Sequence, residues 1–371
     1  IVNNCKMAYV EEDGSIWVGG ISRDLQRYDP RSDSFETIAK EGEKLPGMSV
    51  ADTLYDVSPM GKSGLIPLSN NNTIYLLDPI KRQIVKELRT HIRVPRKSLG
   101  AVFEDDWENF WHSAADRLTF YDAESNMPQN YLIGKGKLDL DGIPSGINSI
   151  QPLLKTPDII WFSLHSVNRA VSYLKYSYGD DRFAYFDALF NDDRNEIKSS
   201  TSSKSMLLDD TGLLWMGTRP NLYKEAPKSR QFKIFEHSAK DPNSLPSDSV
   251  TYIFEDSKKR LWIGMFGAIA HYKGKGKFTK LSWYSGSQNG FDYTVISDIS
   301  EDSRGQIWVR TWNAFYRWNE EKQKLQRISL KINKGISSGP VEDSEGRLWL
   351  FGVDYGAIVI DPITTKVVKR F

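Results

Sequence analysis

Apolar residues fall in short runs of strand length along the whole chain, each preceded by a polar turn, and the unit repeats. Glu301-Asp302-Ser303-Arg304-Gly305-Gln306-Ile307-Trp308-Val309 is the clearest copy, and Glu342-Asp343-Ser344-Glu345-Gly346-Arg347-Leu348-Trp349-Leu350 restates it. Glu255-Asp256 leads to Leu261-Trp262-Ile263-Gly264, and Asp209 to Gly212 leads into Leu214-Trp215-Met216-Gly217. Near the start, Asp13-Gly14-Ser15-Ile16-Trp17-Val18 reads as a copy with a shifted acid. Glu104-Asp105 to Phe110-Trp111 keeps the acids and loses the glycine, and Ile159-Ile160-Trp161-Phe162 keeps only the strand. Gly64-Leu65-Ile66-Pro67-Leu68 fills one further place without a tryptophan.

Each part of the unit has a physical reason. Asp-x-x-Gly between two strands is a tight turn, in which the Asp side chain accepts from backbone N–H groups and Gly takes the positive φ. In the strand that follows, Trp308 points to one face while Ile307 and Val309 point to the other. Both faces are apolar, so both must be covered. A sheet held between two similar sheets meets that demand.

A third strand follows and ends in an acidic turn, as in Leu25 to Asp29-Pro30, Leu118 to Asp122 and Ile358 to Asp361-Pro362. A fourth opens on an apolar residue: Phe35, Phe183, Phe232, Phe278 or Leu325. No stretch carries a 3.6-residue period of helical length. The anchors Trp17, Pro67, Trp111, Trp161, Trp215, Trp262, Trp308 and Trp349 stand 50, 44, 50, 54, 47, 46 and 41 residues apart. That spacing, with four short strands per unit, predicts an all-β β-propeller over 1–371. Eight units are counted. A seven-bladed ring with one extra unit is the alternative.

The strong copies, E-D-x-x-G-x-[I/L]-W-[V/I/L], resemble the two-component regulator propeller repeat of hybrid two-component sensors of Bacteroidetes. Asp241-Pro242-Asn243-Ser244-Leu245-Pro246-Ser247-Asp248-Ser249-Val250 is similar to the loop those proteins place before a repeat. The resemblance implies a periplasmic, membrane-anchored sensor that binds a carbohydrate-derived ligand and signals to a histidine kinase further along the polypeptide. It implies a neighbouring propeller or sandwich domain as partner and leaves a homodimer open. Ile1-Val2-Asn3-Asn4 carries neither a start Met nor a signal peptide and reads as a processed chain or a piece of a longer one.

Composition narrows the chemistry. Lys and Arg number 49 against 48 Asp and Glu, a net charge of +1, so no electrostatic footprint for nucleic acid exists. Cys5 is alone, which rules out an internal disulfide and a thiolate metal cluster. No two histidines stand at metal-ligand spacing, and Asp139-Leu140-Asp141-Gly142 lacks the later ligands of a calcium loop. No metal or cofactor is expected. Asp192-Asp193-Arg194-Asn195-Glu196 reads as a solvated charge run. No phosphate loop or nucleophile elbow appears.

A carbohydrate-active propeller enzyme, a glycoside hydrolase or lyase, is the competing function. It would need a carboxylate pair, and the acids that recur are explained by turns. No catalytic residue is assigned. A ligand would meet the loops that follow the motif tryptophans, where aromatic faces can stack on sugars and Arg or Asn can bond hydroxyls or acidic substituents. Arg219, Trp312, Asn313 and Tyr355 are the expected ligand contacts, with His165, near the end of its strand, as a fifth. Ordinary loop residues, or contacts to a neighbouring domain, are the competing reading of all five.

Overall fold

A computed structural model describes residues 5–11, 13–20, 24–40, 43–49, 56–70, 72–89, 101–114, 117–123, 127–132, 147–166, 171–186, 205–218, 221–225, 232–283, 295–331, 335–336, 338–352 and 356–371. Among them there is no helix, and eight antiparallel sheets follow one another in chain order. Each sheet takes its four strands consecutively, so a blade is a contiguous piece of sequence. Blade 7 gains a short fifth strand, Ser282–Trp283, parallel to its outer strand Lys324–Arg327.

The apolar faces read from the sequence become the joints between blades. Trp308 packs against Leu348, Leu350, Ile358 and Ile360 of blade 8. Ile307 and Val309, from the opposite face of the same strand, pack with Trp262 and Ile269 of blade 6. The same division recurs at every joint, and the ring closes when Trp349, Phe351 and Val359 of blade 8 meet Ile16, Val18 and Tyr28 of blade 1. The ring therefore has eight blades, and the seven-plus-one alternative falls: each of the eight sheets holds a joint on both sides. All seven motif tryptophans are at most 6% exposed. Burying so large an aromatic contributes about 3 kcal/mol by transfer, so these rings dominate the joints.

The Asp of each turn does more than the sequence indicated. Asp302 Oδ1 accepts from the backbone N–H of Arg304 and of Gln306, both at 3.0 Å, and Oδ2 accepts from the indole N–H of Trp308 at 3.0 Å. The acid six residues before the tryptophan repeats the indole bond at Asp105, Asp209, Asp256 and Asp343, at 3.0, 2.7, 2.9 and 2.7 Å. In blade 1 that position is Glu11, not Asp13. The acid is not shifted but lengthened by one methylene. The Glu11 carboxyl lies near enough to the Trp17 N–H to be stabilised by it, while falling outside hydrogen-bond geometry. Burial wins at Glu11 and raises its pKa, against the pull of Trp17 and Arg27.

The Glu before each Asp has a separate role, which turn chemistry does not explain. Glu342 accepts from the N–H and the hydroxyl of Ser303, at 2.7 and 2.5 Å, across the joint between blades 7 and 8. Glu301 does the same for Ser257 at 2.7 and 2.6 Å, Glu104 accepts from Ser63, and Glu255 from the Asp210 N–H at 3.0 Å. Four joints thus carry a clasp on the face where the Asp turns lie. Leu154, at the corresponding place in blade 4, offers no carboxylate, and there the Tyr178 hydroxyl donates across the joint to Asp105.

Candidate functional site

Strand direction sorts the loops onto two faces. The Asp turns and the turns between third and outer strands share one face, here the lower. The turns after the motif strands, and the linkers from one blade to the next, share the upper. Trp312 and Asn313 lie in such an upper turn, between Ile307–Thr311 and Phe315–Asn319. Arg219 and Tyr355 lie outside the described residues. His165 sits near the end of Ile159–Ser166, its backbone opposite Ser149 and Val171, in blade 4 and so three blades round the ring from Trp312. The structure brings Trp312 and Asn313 together and does not bring His165 to them. The calcium-like loop at 139–142 and the charge run at 192–196 also lie outside the described residues. No group of three or more His, Cys, Asp or Glu able to hold a metal occurs among the described residues.

Trp312 is 58% exposed, unlike any motif tryptophan. Its carbonyl accepts from the Ile336 N–H at 2.7 Å, and its ring packs closely against Gly335, where a Cβ would come within 2.3 Å of Cε2. Asn313, the next residue, lines an open cleft of about 330 Å³. The cleft is lined by Asn313, Ala314, Arg327 at the end of its outer strand, and Ile328, Ser329, Leu330 and Lys331 of the linker that follows. Its floor is fixed by backbone: the Ile328 N–H donates to the Phe315 carbonyl at 2.9 Å, and the Arg370 guanidinium donates to the Leu330 carbonyl. An aromatic plate beside a polar, cationic groove can stack on a flat apolar face and bond the groups round it.

A second polar cluster lies under the linker from blade 7 to blade 8. The Asp298 carboxyl is held above the usual carboxylate range, chiefly by burial, against the Tyr252 hydroxyl that bonds it and the charge of Arg310. Gly339 passes so close that a Cβ there would meet Asp298 Oδ2 at 2.7 Å. Arg310 donates to the Ile336 carbonyl at 2.8 Å and to Ser297 at 3.3 Å. The cluster pins the linker that carries Gly335 and thereby sets the plane on which Trp312 rests. Sequence reasoning missed it because a bulge between Ile296 and Asp298 breaks the strand alternation that would have flagged an inward acid.

Two further features, a turn and a linker, are structural. Asn70 closes its own turn, its Oδ1 accepting from the N–H groups of Asn72 and Thr73 at 2.8 and 2.6 Å. The Asp241 to Val250 loop crosses from blade 5 to blade 6: the Asn243 carbonyl accepts from Phe278 N–H at 2.7 Å, the Asp248 carbonyl from Asn221 N–H at 2.7 Å, and Leu245 is fully buried.

Residues 244–267 match the family model described as two component regulator propeller. The matched segment runs from the end of that crossing loop through the first two strands of blade 6, so the chain carries this repeat where the loop and motif resemblance meet. A search of the curated proteins finds no match. Among solved structures, the chain is similar to a domain described as the extracellular domain of the hybrid two component system BT4673 from B. thetaiotaomicron. That match has 14% identity and a TM-score of 0.35, covering 100% of this chain and 59% of the other. It is also similar to dipeptidyl peptidase 4 of Porphyromonas gingivalis, at 11% identity and TM-score 0.54, covering 100% and 59%. The C-terminal WD40 domain of Sif2 matches at 12% identity and TM-score 0.57, over 96% of this chain and 97% of that one. The chain thus spans about three fifths of the length of the first two proteins. The likeness shows the fold.

Proposed function

We propose that this ring is a non-catalytic sensor propeller of a hybrid two-component system, binding a carbohydrate-derived ligand on its upper face. The observation that carries the reading is the two component regulator propeller repeat at 244–267. It is supported by the work the recurring acids already do: each repeated Asp bonds its turn and its tryptophan, and each clasp Glu bonds the neighbouring blade. Carboxylates so engaged leave none of the repeat acids for glycosidic cleavage. Trp312 and Asn313, together with Arg219 and Tyr355, which follow motif strands in sequence, are the proposed contacts, and His165 contributes from blade 4. In this reading the ring stands in the periplasm on a membrane-anchored polypeptide. A neighbouring propeller or sandwich domain, or a second copy, completes the assembly, and a histidine kinase downstream receives the signal.

The test uses the full polypeptide in proteoliposomes, challenged with a panel of oligosaccharides while phosphate incorporation is followed. One saccharide class should change phosphorylation, and Trp312→Ala should weaken that response without lowering the melting temperature. New reducing ends or unsaturated products, lost on changing one carboxylate, would instead make the ring an enzyme.

A further inference from the structure

The cleft beside Trp312 has a chemistry of its own. Arg327 and Lys331 are both exposed where they line it, and neither makes an ion pair with an acid among the described residues, in a protein whose net charge is only +1. Several other surface cations are neutralised by acids: Arg260 pairs with Asp256 and Glu320, Arg347 with Asp343 and Glu345, and Arg82 with Glu36. Among the described residues, no Asp or Glu lines the cleft.

The backbone adds an independent sign. Ten described residues other than glycine have positive φ, and nine of them sit in hairpin turns within a blade. Lys331, at φ 49°, is the exception: it lies in the linker after the outer strand, where no hairpin geometry asks for that conformation. A bulky side chain in the left-handed region costs free energy that a glycine would not. The neighbouring backbone is held by Phe315 and Arg370, so the conformation is imposed on Lys331 where it lines the cleft.

Resting on the reading of the upper face as a saccharide site, we infer that this cleft selects an acidic saccharide. Trp312 stacks on a sugar ring, Asn313 and Ser329 bond hydroxyls, and Arg327 and Lys331 take a carboxylate or sulfate substituent. Arginine supplies a planar fork for such an anion and lysine a point charge.

Calorimetric titration of the full polypeptide tests this with four probes: an oligogalacturonate, a sulfated chondroitin oligosaccharide, a neutral galacto-oligosaccharide of matching length, and sulfate ion alone. At least one acidic oligosaccharide should bind more tightly than the neutral one, and its affinity should fall as salt is raised. The double variant R327Q/K331Q should weaken that binding by about tenfold or more, the usual consequence of losing charge-assisted bonds, with the melting temperature unchanged. Neutral and acidic probes binding equally, or the double variant binding the acidic probe normally, would overturn the inference and leave the sensor reading standing. Sulfate binding as tightly as the acidic oligosaccharide would reduce the cleft to an anion site and overturn the saccharide part. No binding by any of the four would count against the inference and the upper-face reading together.

Discussion

Asp302 gives the sharpest test of what holds a blade together. Changing it to Ala removes three acceptor contacts, each 3.0 Å long: two to turn N–H groups and one to the Trp308 indole. The turn lies on the lower face, so water can replace the bonds to Arg304 and Gln306 at about 0.5–1 kcal/mol each. The indole N–H cannot be rehydrated, because Trp308 is buried, and an orphaned buried donor costs about 1–3 kcal/mol. The expected loss is roughly 3–4 kcal/mol. At about 2.1 cal/mol/K of unfolding entropy per residue, the 371-residue chain loses about 4 °C of Tm for 3 kcal/mol. Asp302→Asn keeps one acceptor but can set an amide N–H against the indole, so it should cost about half as much. Scanning calorimetry on D302A, W308F and the double variant isolates the indole bond, with an expected coupling of about 1–2 kcal/mol. A D302A cost below about 1 kcal/mol, or zero coupling with W308F, would refute the claim that the acid locks the tryptophan.

Three further outcomes follow from the same geometry. Glu301→Ala removes both bonds to Ser257 across the joint between blades 6 and 7, so it should cost about 1–3 kcal/mol and raise hydrogen exchange most strongly at that joint. Burial holds the imidazoles of His112 and His271 down at about 4, so the folded ring refuses protons that the unfolded chain accepts from its ordinary 6.5 downward. Stability should therefore be full above pH 6.5 and fall toward pH 4; urea midpoints across that range check it, and His271→Phe, set between Trp262 and Trp318, should flatten the slope. Gly335→Ala should lift the Trp312 ring from its seat and change the environment of an exposed tryptophan, read as a fluorescence shift with little change in Tm.

The frame was legible because it is local and periodic. The turn acid, the glycine and the strand tryptophan lie within seven residues of one another, and their recurrence announces the blade. The roles that escaped the sequence are the ones that cross between blades. Glu342 meets a serine 39 residues back, and nothing near Glu342 points to it. Counting six residues back from the tryptophan, instead of searching for Asp, would have found Glu11. Trp312 and Asn313 were reached because they follow a motif strand. Arg327 and Lys331 were not, because one ends the outer strand and the other lies in the linker after it, and only the fold carries them to the same cleft. Asp298 was hidden by a bulge, which moves a side chain to the other face without changing the composition of the strand.

The closing joint between blades 8 and 1 has a consequence for the order of the chain. It exchanges no strand, and Val10 stands where a clasp Glu would be; the joint is made by Tyr28, Phe35, Trp349 and Phe371, and by Lys369 reaching Asp33. Every other joint unites neighbours in sequence, whereas this one links residues 336 positions apart. Loop closure grows only as the logarithm of length, so bringing those ends together costs about 2 kcal/mol more than closing one blade on the next. Because no blade borrows from another, the ring does not depend on which blade is made first. A circular permutant that joins blade 8 to blade 1 and opens at the linker between blades 4 and 5 would keep every strand pairing and merely move the long closure to a different joint.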